Sequence, residues 1–218
     1  MRSSDQKYLR SLIAEGEHQE LDFKFEINDA RKIARTLSAF SNTDGGRLLI
    51  GVKDNGRVSG VRSEEEFYMV ESAASLYCKP EVRFESRNLI LEGKSVLEIY
   101  IPPVEVKPVY AKDEENRWMA YTRIADQNIL ASIIQLRIWK EQKKSLGKLL
   151  AFTRTEEILL NHLERKPGSS MSGIQHDTGI SRKKLITLLT KLVQFDVVEM
   201  YFEEGLYLFR LKEKPGEG

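Results

Sequence analysis

"LSAFSNTDGGRLLIGVKDNGRVSGV", residues 37–61, carries the change of pattern that decides the fold of this chain. Leu37 and Phe40 complete a helical spacing begun by Ala30, Ile33 and Ala34, with Asn28 or Asp29 as the N-cap. "NTDGG" then stops the helix. "RLLIGV" reads as a buried strand, Asp54-Asn55-Gly56 as a tight turn, and "RVSGV" as a short return strand. In this stretch Asn42, Gly45, Gly46 and Gly51 are given backbone roles, Asn capping a turn and Gly supplying positive φ. The glycine pair follows a helix and precedes a strand, opposite to a phosphate-binding loop, and a complete Gly-x-x-x-x-Gly-Lys-Ser/Thr signature is absent. A Walker-type nucleotide site therefore has little support.

Upstream, "GEHQELDFKFE", residues 16–26, puts Leu21, Phe23 and Phe25 on one parity and Glu20, Asp22, Lys24 and Glu26 on the other. Strict alternation is the period of an extended strand, so the apolar parity is expected to face a core. The charged parity has two readings. It is the wet face of an amphipathic strand, or it sets a carboxylate, Asp22, beside a cation, Lys24, as metal-dependent nucleases do.

Downstream, "SEEEFYMVESAASLYC" is helical through Phe67, Val70, Ala74 and Tyr77. "VRFESRNLILEGKSVLEIYIPP" alternates as two strands joined near Glu92-Gly93, and "PVYAKDEENRWMAYTRI" gives a further pair around an acidic loop. "NILASIIQLRIWKEQKKSLGKLL" reads as a helix that turns basic and closes a first domain of residues 1–148. The class is α+β, a mixed sheet with flanking helices.

Residues 149–218 change to helices and a terminal hairpin. Thr153 caps a first helix, a short helix follows, and Ser181 caps a third with Leu185, Leu188, Leu189 and Leu192 on its apolar side. This is helix-turn-helix order. "VVEMYFEEGLYLFRL" then supplies a wing, and the tail "KEKPGEG" is expected to be disordered. The exposed side of the third helix is expected to present Ser181, Arg182, Lys183, Lys184, Thr187 and Lys191 to phosphates and base edges. From Ala151 on, ten basic side chains meet ten acidic ones, and the wing tip Glu203-Glu204 would repel phosphate. The start of the helix is the better nucleic-acid contact.

Composition bounds the rest. With 34 Lys and Arg against 33 Asp and Glu, attraction for a polyanion has to come from a local patch. One cysteine, Cys78, rules out an intramolecular disulfide, and His18, His162 and His176 lie apart with no zinc spacing. No apolar run reaches membrane-spanning length and the N-terminus lacks a signal-peptide core, so no membrane contact and a cytoplasmic location are expected.

"GEHQELDFKFE", "LSAFSNTDGGRLLIGVKDNGRVSGV" and "YTRIADQNILAS", in this order, resemble the Schlafen-AlbA family over residues 10–132, most specifically from Ala39 to Gly60. That family is described as DNA-binding modules of bacterial transcriptional regulators, some with an ATP-binding description, and as the nuclease core of vertebrate Schlafen proteins. The tail is similar to a winged helix. The nuclease members use three carboxylates, and the resemblance places them at Glu17, Asp22 and Asp54, with Lys24 as the motif's basic residue. Asp22 stands where the family has Glu, one methylene shorter, toward a metal that needs oxygens at about 2.1 Å. The resemblance thus implies a homodimeric, non-catalytic transcriptional regulator that binds duplex DNA and requires no cofactor. The alternatives are a ribonuclease holding Mg²⁺ or Mn²⁺ on Glu17, Asp22 and Asp54, and a protein-interaction module.

Overall fold

The computed structural model describes residues 2–61, 63–141 and 153–213. They form two compact units, divided between Ala131 and Ser132.

The N-terminal unit is built round a crossover. Strand β1 (Leu21–Lys24) leads through helix α2 (Ala30–Asn42) into β2 (Gly46–Ile50), and the two strands pair in parallel. A helix between them is what parallel pairing requires. Strands β4 (Glu85–Leu91) and β5 (Lys94–Ile101) complete a mixed sheet of order β1-β2-β5-β4. A second sheet, all antiparallel, has the order β3 (Cys78–Lys79), β6 (Tyr110–Lys112), β7 (Trp118–Ile124), β8 (Gln127–Leu130).

Helix α1 (Arg2–Glu15) covers one face of the mixed sheet, where Leu9 and Leu12 meet Leu21, Phe23, Leu49 and Val96. On the other face, Leu48, Ile50, Leu97 and Ile99 pack with α2 and α3 (Glu65–Leu76). The second sheet closes over α2, contributing Val109, Ala111 and Tyr121 to the same core. Every residue of α2 from Thr36 to Asn42 is consequently buried. A helix covered all round loses its polar side, so its polar residues must find partners inside.

The sequence reading assigns no element to α1, which adds Leu9 and Leu12 to the core on its side of the sheet, and two expectations change. Residues 128–130, read as the start of a helix, pair with β7 as part of β8. The boundary expected at 148/149 lies outside the described residues, and the units divide earlier. Helix α4 (Ile133–Glu141) belongs to the C-terminal unit because Ile134 is fully buried among Leu159, Leu188 and Leu192.

That unit runs α4, α5 (Arg154–Arg165), β9 (Ser169–Ser170), α6 (Met171–Thr178), α7 (Arg182–Gln194), and the hairpin β10 (Val198–Glu203) and β11 (Leu206–Leu211). The three strands form one antiparallel sheet of order β10-β11-β9. Thr153 and Glu156 make a reciprocal capping box at the start of α5, and the nearly buried Glu156 also accepts from Lys191 Nζ at 2.8 Å. The Lys191 hydrogen bond and the Thr153 cap lower the Glu156 carboxyl from 4.5 to about 2. A depressed acid contributes stability that is present above its unfolded pKa and lost as pH falls through the folded one. Stability of this unit is therefore expected to decline from about pH 4.5 toward pH 2. Glu156→Gln should remove that acid limb and lower stability at neutral pH by about 1.5–3 kcal/mol, since the amide can still serve the Thr153 cap but gives up the charged bond to Lys191. Acid titration of unfolding free energy, variant against wild type, checks it; parallel curves would refute it.

Candidate functional site

In β1 the apolar parity behaves as expected up to Phe23, which faces α1, but the strand ends at Lys24 and Phe25 is exposed. On the charged parity Glu20 and Glu26 are exposed, and Asp22 between them is not. Asp22 is only 3% exposed. Arg123, on β7, brings Nη2 to 3.1 Å from Asp22 Oδ1, and Lys24 Nζ lies 2.7 Å from Oδ2. The Lys24 contact is an ion pair without hydrogen-bond alignment, since Oδ2 has no hydrogen-bond partner among the described residues and Nζ donates to the Phe23 carbonyl at 2.7 Å. Glu17 Oε1 accepts from the Phe23 N–H at 2.8 Å. Burial raises the Glu17 carboxyl above the usual glutamate range against the pull of that N–H, and the adjacent Asp22 carboxylate adds to the rise by repulsion and by sharing a hydrogen bond.

Glu17, Asp22 and Lys24 thus come together. Asp54 does not join them. It is exposed in the turn closed by the Gly56 N–H donating to the Lys53 carbonyl at 2.8 Å. Among the described residues no three Asp, Glu, His or Cys side chains are placed to hold a metal ion. The three-carboxylate constellation anticipated from the sequence is not assembled, because the tight turn carries Asp54 past the end of the strand that pairs with β1.

Sequence reading missed Arg123. Its guanidinium is fully buried over the Phe40 ring at 5.0 Å, and it donates to Asn128 Oδ1 at 3.0 Å and to the carbonyls of His18 and Leu21, both at 3.3 Å. A signal was available. Arg123 shares its parity on β7 with Met119 and Tyr121, which face the core, and a charge on a core parity calls for a buried partner. Glu98 is a second case, 1% exposed on β5 and held by Arg47 at 3.2 Å, Arg87 at 2.8 Å and the Tyr8 hydroxyl at 2.5 Å.

The turn residues also act differently. Asn42 caps nothing; it is the buried last residue of α2 and bonds the second sheet. Its Nδ2 donates to the Val109 carbonyl at 2.8 Å and the Tyr121 carbonyl at 2.9 Å, and its Oδ1 accepts from the Val109 N–H at 2.7 Å. Gly45 and Gly51 have the positive φ expected of them, +77° and +95°. Gly46 does not, and is required for space: a Cβ there would lie 2.5 Å from the Phe40 ring.

In the C-terminal unit Arg182, Lys183, Lys184 and Thr187 are exposed on α7, with Ser181 at the N-cap. Arg182, Lys183 and Lys184 have no carboxylate partner among the described residues. Lys191 leaves the set, since its ammonium is committed to Glu156. Arg137 of α4 enters, donating through Nη1 to Thr187 Oγ1 at 3.1 Å.

These features define an α+β protein with a buried charged cluster in one unit and an exposed cationic helix start in the other. The chain belongs to the Schlafen, AlbA_2 family, whose model matches residues 17–132. It is 25% identical over 170 residues to an uncharacterized ATP-binding protein of Ureaplasma parvum serovar 3, which covers 63% of this chain and 47% of the relative. Among solved structures, a protein of Corynebacterium diphtheriae matches with a TM-score of 0.45 and 16% identity, over 75% of this chain and 34% of that one. The N-terminal domain of a RecG-related protein of Nitrosomonas europaea matches with a TM-score of 0.39 and 23% identity, over 69% and 95%. The chain spans about half the length of the curated relative it matches. Among the described residues no helix is long and apolar enough to cross a membrane.

Proposed function

We propose that the protein is a cytoplasmic, non-catalytic DNA-binding regulator, a Schlafen-AlbA domain joined to a winged helix, acting on duplex DNA as a homodimer. The observation that carries this reading is the start of α7, where Arg182, Lys183 and Lys184 are exposed and free of carboxylates among the described residues. Cations at a helix N-terminus, with the first-turn N–H groups beside them, suit phosphate contact. Gly179, in the left-handed conformation that ends α6, makes the turn between the two helices. The acidic tip Glu203-Glu204 keeps the hairpin away from phosphate.

The ribonuclease alternative has less support. Asp22 is already compensated by Arg123 and Lys24, which leaves little negative charge for Mg²⁺ or Mn²⁺, and Asp54 stands apart. The ATP in the relative's name has no evident counterpart in a phosphate loop. Gly93-Lys94-Ser95 has the ending of one, but Asn88 stands where its first glycine would be. The triplet turns β4 into β5 instead of opening a helix, and Lys94 Nζ donates to the Val58 carbonyl at 2.9 Å.

Replacing Arg182, Lys183 and Lys184 with Ala tests the reading by duplex titration at several salt concentrations. Three lost phosphate contacts should flatten the slope of log K against log salt by about 2.7. Unchanged affinity and slope in a folded variant would move DNA binding off α7 or out of this protein.

A further inference from the structure

Strand β4 is the edge of the mixed sheet, and its outer side makes no backbone hydrogen bond among the described residues. At seven residues it is the longest edge in the N-terminal unit, against four for β1 and β8 and two for β3. Edges left open in proteins are usually short or guarded by charged side chains, Pro or a bulge. This one, "ESRNLIL", has no Pro, pairs with β5 in unbroken register and exposes Ile90; its charges, Glu85 and Arg87, share the parity turned away from Ser86 and Asn88, and Arg87 is tied to Glu98.

Beside it lies a cleft of about 570 Å³. Ser86 and Asn88 of β4 and Leu97 of β5 form one side, and Glu64, Phe67 and Tyr68 at the start of α3 form the other. Ser86, Asn88 and Ile90 share the parity that faces this side of the sheet, opposite to Leu89 and Leu91, which pack under α1. Tyr68 is 56% exposed. Glu64 is the only charged side chain among the described lining residues. Neither the cleft nor the edge is used by the proposed DNA contact.

We propose that the outer edge of β4 takes up an extended peptide as an added strand, with an apolar side chain of the peptide against Tyr68 and a basic one facing Glu64. Backbone pairing along the edge supplies affinity, and alternate side chains projecting into the cleft supply selectivity. Charge complementarity selects the partner: a carboxylate with no cation among the described lining residues favours Lys or Arg and disfavours an acidic segment.

The test uses the full chain and a fluorescein-labelled peptide alternating Val and Thr, with one Phe and, two positions on, one Lys. Saturable binding by anisotropy is expected, with slowed hydrogen exchange of β4 amides. Methylating the peptide's alternate amides on the pairing edge should abolish binding. Tyr68→Ala, at an exposed position, should weaken it about three- to tenfold, the worth of one aromatic contact. Glu64→Gln should reduce the Lys peptide to the affinity of a norleucine peptide. No saturable binding at millimolar peptide overturns the proposal, and so does equal affinity for the methylated peptide. It is also overturned if a second copy of the chain occupies the edge, seen as concentration-dependent dimerisation in sedimentation that Asn88→Lys removes.

Discussion

Arg123→Met is expected to destabilise the N-terminal unit by about 3–5 kcal/mol, the cost of removing one partner from a buried ion pair. Asp22 would keep its carboxylate in a 3% exposed position with the half-exposed Lys24 alone beside it. Asn128 Oδ1 would lose its Arg123 donor, and the carbonyls of His18 and Leu21 would each keep only the backbone N–H of the other. The methionine stem fills the space over Phe40 without the charge, so most of the loss reports electrostatics and not a cavity. Asp22→Asn in the same background should recover a substantial part, since a neutral amide has no uncompensated charge. Urea unfolding of the single and double variants checks this. If the two losses simply add, with no recovery, Arg123 and Asp22 are not coupled in the way their 3.1 Å contact requires.

Asn42→Ala is expected to cost about 3 kcal/mol, because each buried backbone group stripped of its partner costs about 1–3 kcal/mol. The Val109 N–H and the Tyr121 carbonyl depend on this one amide, and the Val109 carbonyl, which also accepts from Ser38 Oγ, loses one of its two donors. Asn42→Asp gives a pH-dependent version of the same test. A protonated carboxyl still accepts from the Val109 N–H and donates to one carbonyl, whereas an ionised one is buried against two carbonyl oxygens. The burial raises its folded pKa, so the penalty relative to wild type should be small below about pH 3.9 and grow as pH rises above it. Chemical denaturation across pH, each variant against wild type, measures it. A penalty independent of pH would mean that residue 42 meets water in the native state.

The family needed no tertiary information, since "LSAFSNTDGGRLLIGVKDNGRVSGV" and the stretches flanking it carry it in residue type and spacing. Period 3.6 placed α2, α3, α5 and α7, and period 2 placed β4 to β7 and the terminal hairpin, because local sterics and one-sided burial are written along the chain. The cationic start of α7 was legible for the same reason: Ser181 caps it, and the apolar spacing of Leu185, Leu188 and Leu189 turns Arg182, Lys183 and Lys184 outward. What alternation leaves open is what covers each face. "LDFK" assigns Asp22 and Lys24 to one side of a sheet, and only tertiary structure decides whether that side meets water, a metal or another layer. Here α1 takes the apolar side, and on the other side β7 brings Arg123, more than a hundred positions along the chain, onto Asp22. The same closure commits Asn42 to β7, and within the other unit Lys191 of α7 is committed to Glu156 of α5. A polar side chain taken out of water is satisfied by whichever group the fold delivers to it, and that delivery depends on contacts distant in sequence.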